Sequence, residues 1–175
     1  MHWLDATLRV SSAPYNSDVP DLKPPRLATD ERSTLLALLQ YQRESLVRKA
    51  SGVDPVAATS SPVPSGTSLV WLVEHLAAAE SVWIEQRFAG LAVEAPLDGP
   101  LHGRALDRAI ERYRATWTRV DAVIAGAELD DRCSADDVVP PVNLRWVLAH
   151  LLEETARHAG HADILRELVD GETGR

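Results

Sequence analysis

The stretch LLEETARHAGH, residues 151–161, lies in the last long apolar repeat of the chain and carries two ionisable side chains on its apolar side. Glu154 and His158 are four residues apart, so on a helix they lie one above the other on the same face. The same stripe continues through Val147 and Leu165, so this face is predicted to point into the core. Because an unpaired charge is costly to bury, both side chains need a partner inside the protein.

Four long helical patterns are predicted, over about residues 29–50, 67–88, 104–127 and 143–171. Each has apolar residues at spacings of three and four, and Asn143 is a residue type that caps helix N-termini. Connections of about 15 residues are long enough to cross the length of a bundle, at roughly 3.3 Å per extended residue. We therefore predict an all-α four-helix bundle with long crossover connections for residues 29–175, after an extended N-terminal arm, residues 1–28.

Length and charge narrow the class of protein. A chain of 175 residues is long enough for one domain with a substantial core. A net charge of −8 argues against a nucleic-acid surface, and no apolar run reaches the length of a membrane span. The N-terminus lacks the basic start and apolar core of a signal peptide, and Cys133 is the single cysteine. We expect a cytoplasmic protein with no nucleic-acid or membrane partner.

A divalent metal ion is the partner that the chemistry of Glu154 and His158 favours. His75, on the second predicted helix, also lies on an apolar face, and bundles commonly build metal sites from inward side chains of facing helices. Together with Glu154 and His158 it gives three ligands and leaves a coordination position open, as in catalytic sites. Two imidazoles and a carboxylate suit Zn²⁺ best, and they also suit Fe²⁺ or Ni²⁺.

Each part of this set also has an ordinary structural explanation. A single inward histidine such as His75 is commonly a core residue that hydrogen-bonds to a backbone carbonyl. A glutamate and a histidine four residues apart commonly form a simple pair along the helix surface. The metal interpretation gains weight because both features lie on apolar stripes of two separate long helices. The residues alone leave both explanations open.

Three further residues lie near the predicted ligands. His161 follows them by one turn of the helix, and His150 precedes them by one turn. Either histidine could orient a ligand or relay a proton. Arg157 is a candidate for binding a carboxylate of the substrate at the mouth of the bundle. No catalytic residue beyond the metal site is predicted, because Gly-x-Ser-x-Gly, P-loop and Gly-x-Gly-x-x-Gly patterns are absent from the sequence.

Several segments of the chain resemble the DinB-like superfamily. They are VPSGTSL and VEHL within residues 63–76, NLRWVLAHLLEE at 143–154 and RHAGHAD at 157–163. More closely, they resemble the actinobacterial branch of "mini-circle" proteins, which is related to the N-terminal domains of mycothiol-dependent maleylpyruvate isomerases. The likeness covers about residues 28–175 and is most specific in the last segment.

The resemblance implies a bundle of up-down-down-up topology with a divalent metal in its core. Many members of the superfamily bind the metal with three histidines, and this chain has Glu154 in place of the first histidine on the fourth helix. The isomerase relatives use a His, Glu, His set, which corresponds here to His75, Glu154 and His158. Relatives also use thiols such as mycothiol or bacillithiol, for isomerisation or S-transfer. Because 175 residues leave no room for the isomerase's second domain, we do not expect the isomerase reaction itself.

The resulting hypothesis is a metal-dependent thiol S-transferase. The metal would activate a low-molecular-weight, mycothiol-like thiol for attack on a small electrophilic substrate. Two alternatives stay open: a metal-dependent hydrolase that activates water, and a non-enzymatic metal-binding stress-response protein. Trp71 and Ile84 are predicted to be exposed apolar residues, and such residues would suit a homodimer.

Overall fold

The computed structural model describes residues 22–93, 106–135, 137 and 139–173. Its helices are α1 (Glu31–Ala50), α2 (Pro55–Thr59), α3 (Leu69–Glu80), α4 (Leu106–Ala125) and α5 (Leu144–Asp170). A π-helical segment, Ser81–Phe88, follows α3 directly. The predicted all-α class is confirmed, and no helix among the described residues is both long and apolar enough to cross a bilayer. Most of the predicted arm, residues 1–21, and the predicted helix start at 104–105 lie outside the described residues.

Side-chain caps fix where three of the long helices begin. Asp30 accepts a hydrogen bond from the Ser33 N–H at 2.9 Å, and Ser68 caps α3 in the same way. Asn143 accepts from the amide of the third helical residue of α5 at 3.0 Å, which confirms its predicted role. The predicted starts of α1 and α3 are two residues too early, because the capping residues have extended backbone. The predicted end of α4 is two residues too late, since the helix ends at Ala125.

The predicted loop over residues 51–66 contains the short helix α2, which is a correction to the sequence analysis. The Asp54 carboxylate accepts hydrogen bonds from the Val56 and Ala57 amides at 3.0 and 3.1 Å, and Pro55 occupies the first helical position. A helix of five residues is too short to show a periodic apolar pattern. Its only signal in the sequence is the Asp-Pro pair, a typical helix start.

Ion pairs show that α1 and α5 run in the same direction. At their starts Glu31 pairs with Arg145 at 2.8 Å, and near the end of α1 Lys49 pairs with Asp163. These two helices also form the most extensive helix–helix contact of the described residues. The first and last long helices are therefore parallel neighbours.

The two middle helices, α3 and α4, run together in the opposite direction. Glu74 pairs with Arg112 and, further along both helices, Glu85 pairs with Arg119 at 2.9 Å. Arg32, at the start of α1, donates to a backbone carbonyl just after the end of α4 at 2.6 Å, so α1 and α4 are antiparallel. The expected up-down-down-up order is confirmed for the described helices.

The buried face of α3 continues into the π-helical segment, Ser81–Phe88. Ile84 follows Leu76 by eight residues and Glu80 by four, spacings that place the three side chains on one side of a helix. Ile84 is fully buried, and the prediction that it is exposed is wrong. Trp71 lies before this segment and is 38% exposed, as predicted. On α4, the apolar residues at spacings of three and four are buried throughout: Leu106, Ile110, Tyr113, Trp117, Val120 and Ile124.

A buried ion pair and a tyrosine hydroxyl join three of the helices. Glu80, on α3, is fully buried and accepts two hydrogen bonds from the Arg43 guanidinium of α1, at 3.0 and 2.6 Å. The Tyr113 hydroxyl of α4 donates to the same carboxylate at 2.9 Å. This network satisfies a charge inside the core and fixes the position of α3 against α1 and α4.

Candidate metal centre

The structure brings the three predicted ligand residues together at one point between α3 and α5. The Nε2 atoms of His75 and His158 each lie 3.1 Å from Oε1 of Glu154. The three potential ligand atoms all lie within 4.8 Å of one another. His75 and Glu154 are 79 residues apart in the sequence, so this meeting depends on the fold.

The two helices position these side chains at the edge of the core. His75 lies in the second turn of α3, and Glu154 and His158 occupy successive turns of α5. The side chains of His158 and Glu154 are 11% and 17% exposed, whereas that of His75 is 33% exposed. The site is therefore closed on the α5 side and reachable from solvent beside His75.

Hydrogen bonds stabilise the charged form of Glu154. Its Oε1 atom faces both imidazoles, and its Oε2 atom accepts from Arg157 at 3.0 Å. Partial burial acts to raise the pKa of this carboxyl, but the hydrogen bond from His75 and the attraction of His158 outweigh it. The pKa of Glu154 therefore lies below its ordinary value of 4.5, and the side chain is an anion at neutral pH.

His158 is held in its neutral form. Partial burial and the neighbouring His75 lower the pKa of His158 below 6.5, and the attraction of Glu154 only partly opposes them. A neutral imidazole and an ionised carboxylate are the forms that bind metals. Glu154 and His158 are therefore in the protonation states that bind metals.

His161 contacts the outer side of His158. The two Nδ1 atoms are 3.2 Å apart, whereas Nε2 of His158 faces Glu154. A cation at Nε2 would move the ring proton of His158 to Nδ1, where His161 can accept it as a hydrogen bond. His161 therefore lies where an orienting residue belongs, and it does not point its Nδ1 atom at the convergence point.

Arg157 is engaged by carboxylates of its own helix. Its guanidinium donates to Glu154 at 3.0 Å and to Glu153 at 2.6 Å, while the side chain remains 54% exposed. The predicted role of Arg157 in binding a substrate carboxylate stays a prediction. What the structure adds is that Arg157 fixes the orientation of Glu154.

His150 lies in a separate aromatic cluster. Its ring is stacked on Trp146 at 5.0 Å and meets Trp83 edge-on at 4.9 Å, measured between ring centroids. Within the described chain no hydrogen bond connects His150 to Glu154 or His158. The structure thus brings His161, and not His150, into contact with the central three side chains, and the relay role of His150 stays a prediction.

Trp71 is the site residue that the sequence analysis missed. Its ring is stacked on His75 with centroids 4.8 Å apart and planes only 4° from parallel. The same ring meets His158 edge-on at 6.1 Å. A signal was present in the sequence, because Trp71 precedes His75 by four residues and so shares its helix face.

The donor set fits a divalent cation. Tetrahedral Zn²⁺ with ligands at about 2.05 Å places neighbouring donors about 3.3 Å apart, close to the two 3.1 Å separations. A cation would take the place of the two hydrogen bonds that now join the Nε2 atoms to one carboxylate oxygen, and each metal-bound imidazole would carry its proton on Nδ1. His75, Glu154 and His158 could therefore hold a metal and leave coordination positions for a ligand.

The up-down-down-up order of the helices is the one that the resemblance to the DinB-like superfamily implies. The sequence model of the mycothiol-S-transferase family matches residues 34–171. The chain therefore belongs to the mycothiol-S-transferase family. The resemblance inferred from the sequence is confirmed at this level.

A solved structure supports the fold. A conserved protein from Enterococcus faecalis superimposes with a TM-score of 0.60, over 83% of this chain and 100% of that chain. The sequence identity is 17%, so the likeness concerns the fold alone. No curated protein matches the chain.

Proposed function

We propose that this protein is a metal-dependent thiol S-transferase with His75, Glu154 and His158 as the metal ligands. The observation that carries the proposal is that two imidazole nitrogens converge on one carboxylate at the edge of the core, in a chain of the mycothiol-S-transferase family. Zn²⁺ is the favoured metal, since two histidines and a glutamate form a known catalytic zinc set, and Fe²⁺ or Ni²⁺ are the alternatives.

The bound metal would supply a lowered thiol pKa, so that a thiolate is available at neutral pH. In the transfer the thiol loses its S–H proton, its sulfur forms a bond to the electrophilic carbon, and the leaving group departs with the bonding electrons. A low-molecular-weight, mycothiol-like thiol is the co-substrate that the family name indicates. The electrophile would approach from the solvent-open side beside His75.

The surrounding residues have distinct roles in this proposal. Arg157 keeps Glu154 in place through its hydrogen bond to Oε2. His161 accepts the Nδ1 proton of His158, which raises the basicity of that ligand. His161 is an imidazole in contact with a proposed ligand, and in this proposal it also takes up the proton that the thiol loses.

The proposal is tested by metal analysis of the purified protein, followed by assay with and without a low-molecular-weight thiol. We expect about one equivalent of divalent metal and thiol-dependent consumption of a generic electrophile such as a chloro-dinitrobenzene. His158→Ala should lose both. Glu167→Ala, at an exposed position of the same helix, should keep both.

Three outcomes would contradict the proposal. Full activity in chelator-treated, metal-free protein would remove the metal from the mechanism. Turnover that does not require thiol would favour the hydrolase. Stoichiometric metal without turnover of any electrophile would favour the non-enzymatic binding protein.

A further inference from the structure

Trp71 covers one face of His75. The ring centroids are 4.8 Å apart and the planes differ by 4°, which is a nearly ideal parallel stack. The backbone of Trp71 is itself fixed, because its N–H donates to the Ser68 cap at 3.2 Å. The tryptophan is therefore held at the start of α3 with its ring against the imidazole one turn later.

The other two central residues are each oriented by a hydrogen bond. Arg157 donates to Glu154, and His161 lies 3.2 Å from Nδ1 of His158. For His75, the described part of the chain offers a single hydrogen bond, which joins Nε2 to Glu154. A metal-binding histidine is usually fixed by a hydrogen bond at its second nitrogen, and here a flat aromatic contact takes that place.

We propose that Trp71 is the positioning residue for His75, an inference that rests on the metal centre proposed above. Rotation of a histidine ring about its last side-chain bond is broad and weakly restricted. A parallel indole permits the ring to slide but opposes its rotation, since rotation would break the stack or collide with it. Trp71 therefore keeps Nε2 of His75 aimed at Glu154 on the side of the site that is open to solvent.

The chain contains a matched control for this contact. Trp146 precedes His150 by four residues on α5, and their rings are stacked at 5.0 Å with planes 16° apart. Trp146 is 45% exposed, against 38% for Trp71. Both are tryptophan–histidine stacks within one helix, and only the first includes a proposed metal ligand.

The experiment compares Trp71→Ala, Trp71→Phe and Trp146→Ala with the wild-type protein. Affinity for Zn²⁺ is measured by competition with a chromophoric chelator, and the ligand geometry is followed through the visible absorption spectrum of the Co²⁺-substituted protein. We expect Trp71→Ala to weaken binding about 10- to 100-fold, as loss of an orienting partner does. The Co²⁺ spectrum should change in the same variant, Trp71→Phe should recover most of the affinity, and Trp146→Ala should match wild type.

Each result decides the inference. Wild-type affinity and spectrum in Trp71→Ala would refute it and leave the metal centre intact. Equal losses in Trp71→Ala and Trp146→Ala, or no recovery in Trp71→Phe, would assign the effect to general destabilisation and also refute it. Absence of Zn²⁺ and Co²⁺ binding by wild-type protein would overturn the proposed function, and the role of Trp71 with it.

Discussion

Glu154→Gln tests the metal centre with little change in shape. The amide is as large as the carboxylate, but it removes the only negative charge among the three donors. In the native protein this carboxylate accepts from His75, His158 and Arg157 at 3.0–3.1 Å. Loss of a residue that only hydrogen-bonds to a metal ligand lowers metal affinity by about 10- to 100-fold. Because Glu154 is proposed as a ligand itself, we expect its substitution to lower the affinity by at least roughly 100-fold.

The expected loss of metal affinity can be measured as a smaller metal-dependent shift in melting temperature. At a metal concentration of about 100 times Kd, binding stabilises the native state by about 2.7 kcal/mol. A variant with roughly 100-fold weaker binding gains only about 0.4 kcal/mol under the same conditions. For a domain of this size about 1 kcal/mol corresponds to about 2–4 °C, which gives about 5–11 °C for wild type and about 1–2 °C for the variant.

The assay is thermal unfolding of chelator-treated protein with and without added Zn²⁺. Glu153→Gln is the matched control, because Glu153 is the adjacent residue, is 66% exposed and accepts from the same Arg157 at 2.6 Å. Its Zn²⁺-dependent shift should equal that of wild type. A full shift in Glu154→Gln, or an equal loss in Glu153→Gln, would refute the reasoning.

Two further predictions concern the metal-free protein. Glu80→Ala leaves the buried Arg43 guanidinium with a single anionic partner, the half-exposed Asp121 of α4, so the free energy of unfolding in urea should fall by about 3 kcal/mol, the lower end of the range for a broken buried ion pair. Wild-type stability in that variant would show that the pair is dispensable. Stability should also decline as the pH falls below about 6.5, because the unfolded chain then protonates His158 while the folded protein resists it. His158→Gln should show a shallower decline, and an equally steep one would mean that another group is responsible.

The helices and part of the site could be predicted because they depend on local spacing. The apolar repeat gives each long helix, and the four-residue interval places Glu154 and His158 on one inward face. Local spacing cannot show that His75 meets them, since 79 residues separate it from Glu154 and only the topology joins them. The inward position of His75 made that meeting a hypothesis which the residues alone left open, and the resemblance to the DinB-like superfamily added weight to it.

The residues whose environment was mispredicted or missed lie in α3 or in the π-helical segment that follows it: Trp71, Glu80 and Ile84. Ile84 follows the buried Leu76 by eight residues, so the helical period itself places it on the buried side and the prediction that it is exposed disagreed with that period. Glu80 lies on the same side, and its burial as a charge could not be predicted because its partner Arg43 is on another helix. Trp71 was interpreted only as an exposed apolar residue. In the sequence, a tryptophan that stacks on a functional histidine cannot be distinguished from any other tryptophan on an exposed helix face.

The position of the site between α3 and α5 has a consequence for how the chain is held together. A cation bound there would cross-link His75 to Glu154 and close a loop of 79 residues, which the single Cys133 cannot do by forming a disulfide within the chain. In a chain-entropy description a permanent link of that span would restrict the unfolded state by about 4–5 kcal/mol. The proposed catalytic ion would then also be a removable cross-link, and the nascent polypeptide could not bind it with all three ligands until α5 had been synthesised and docked.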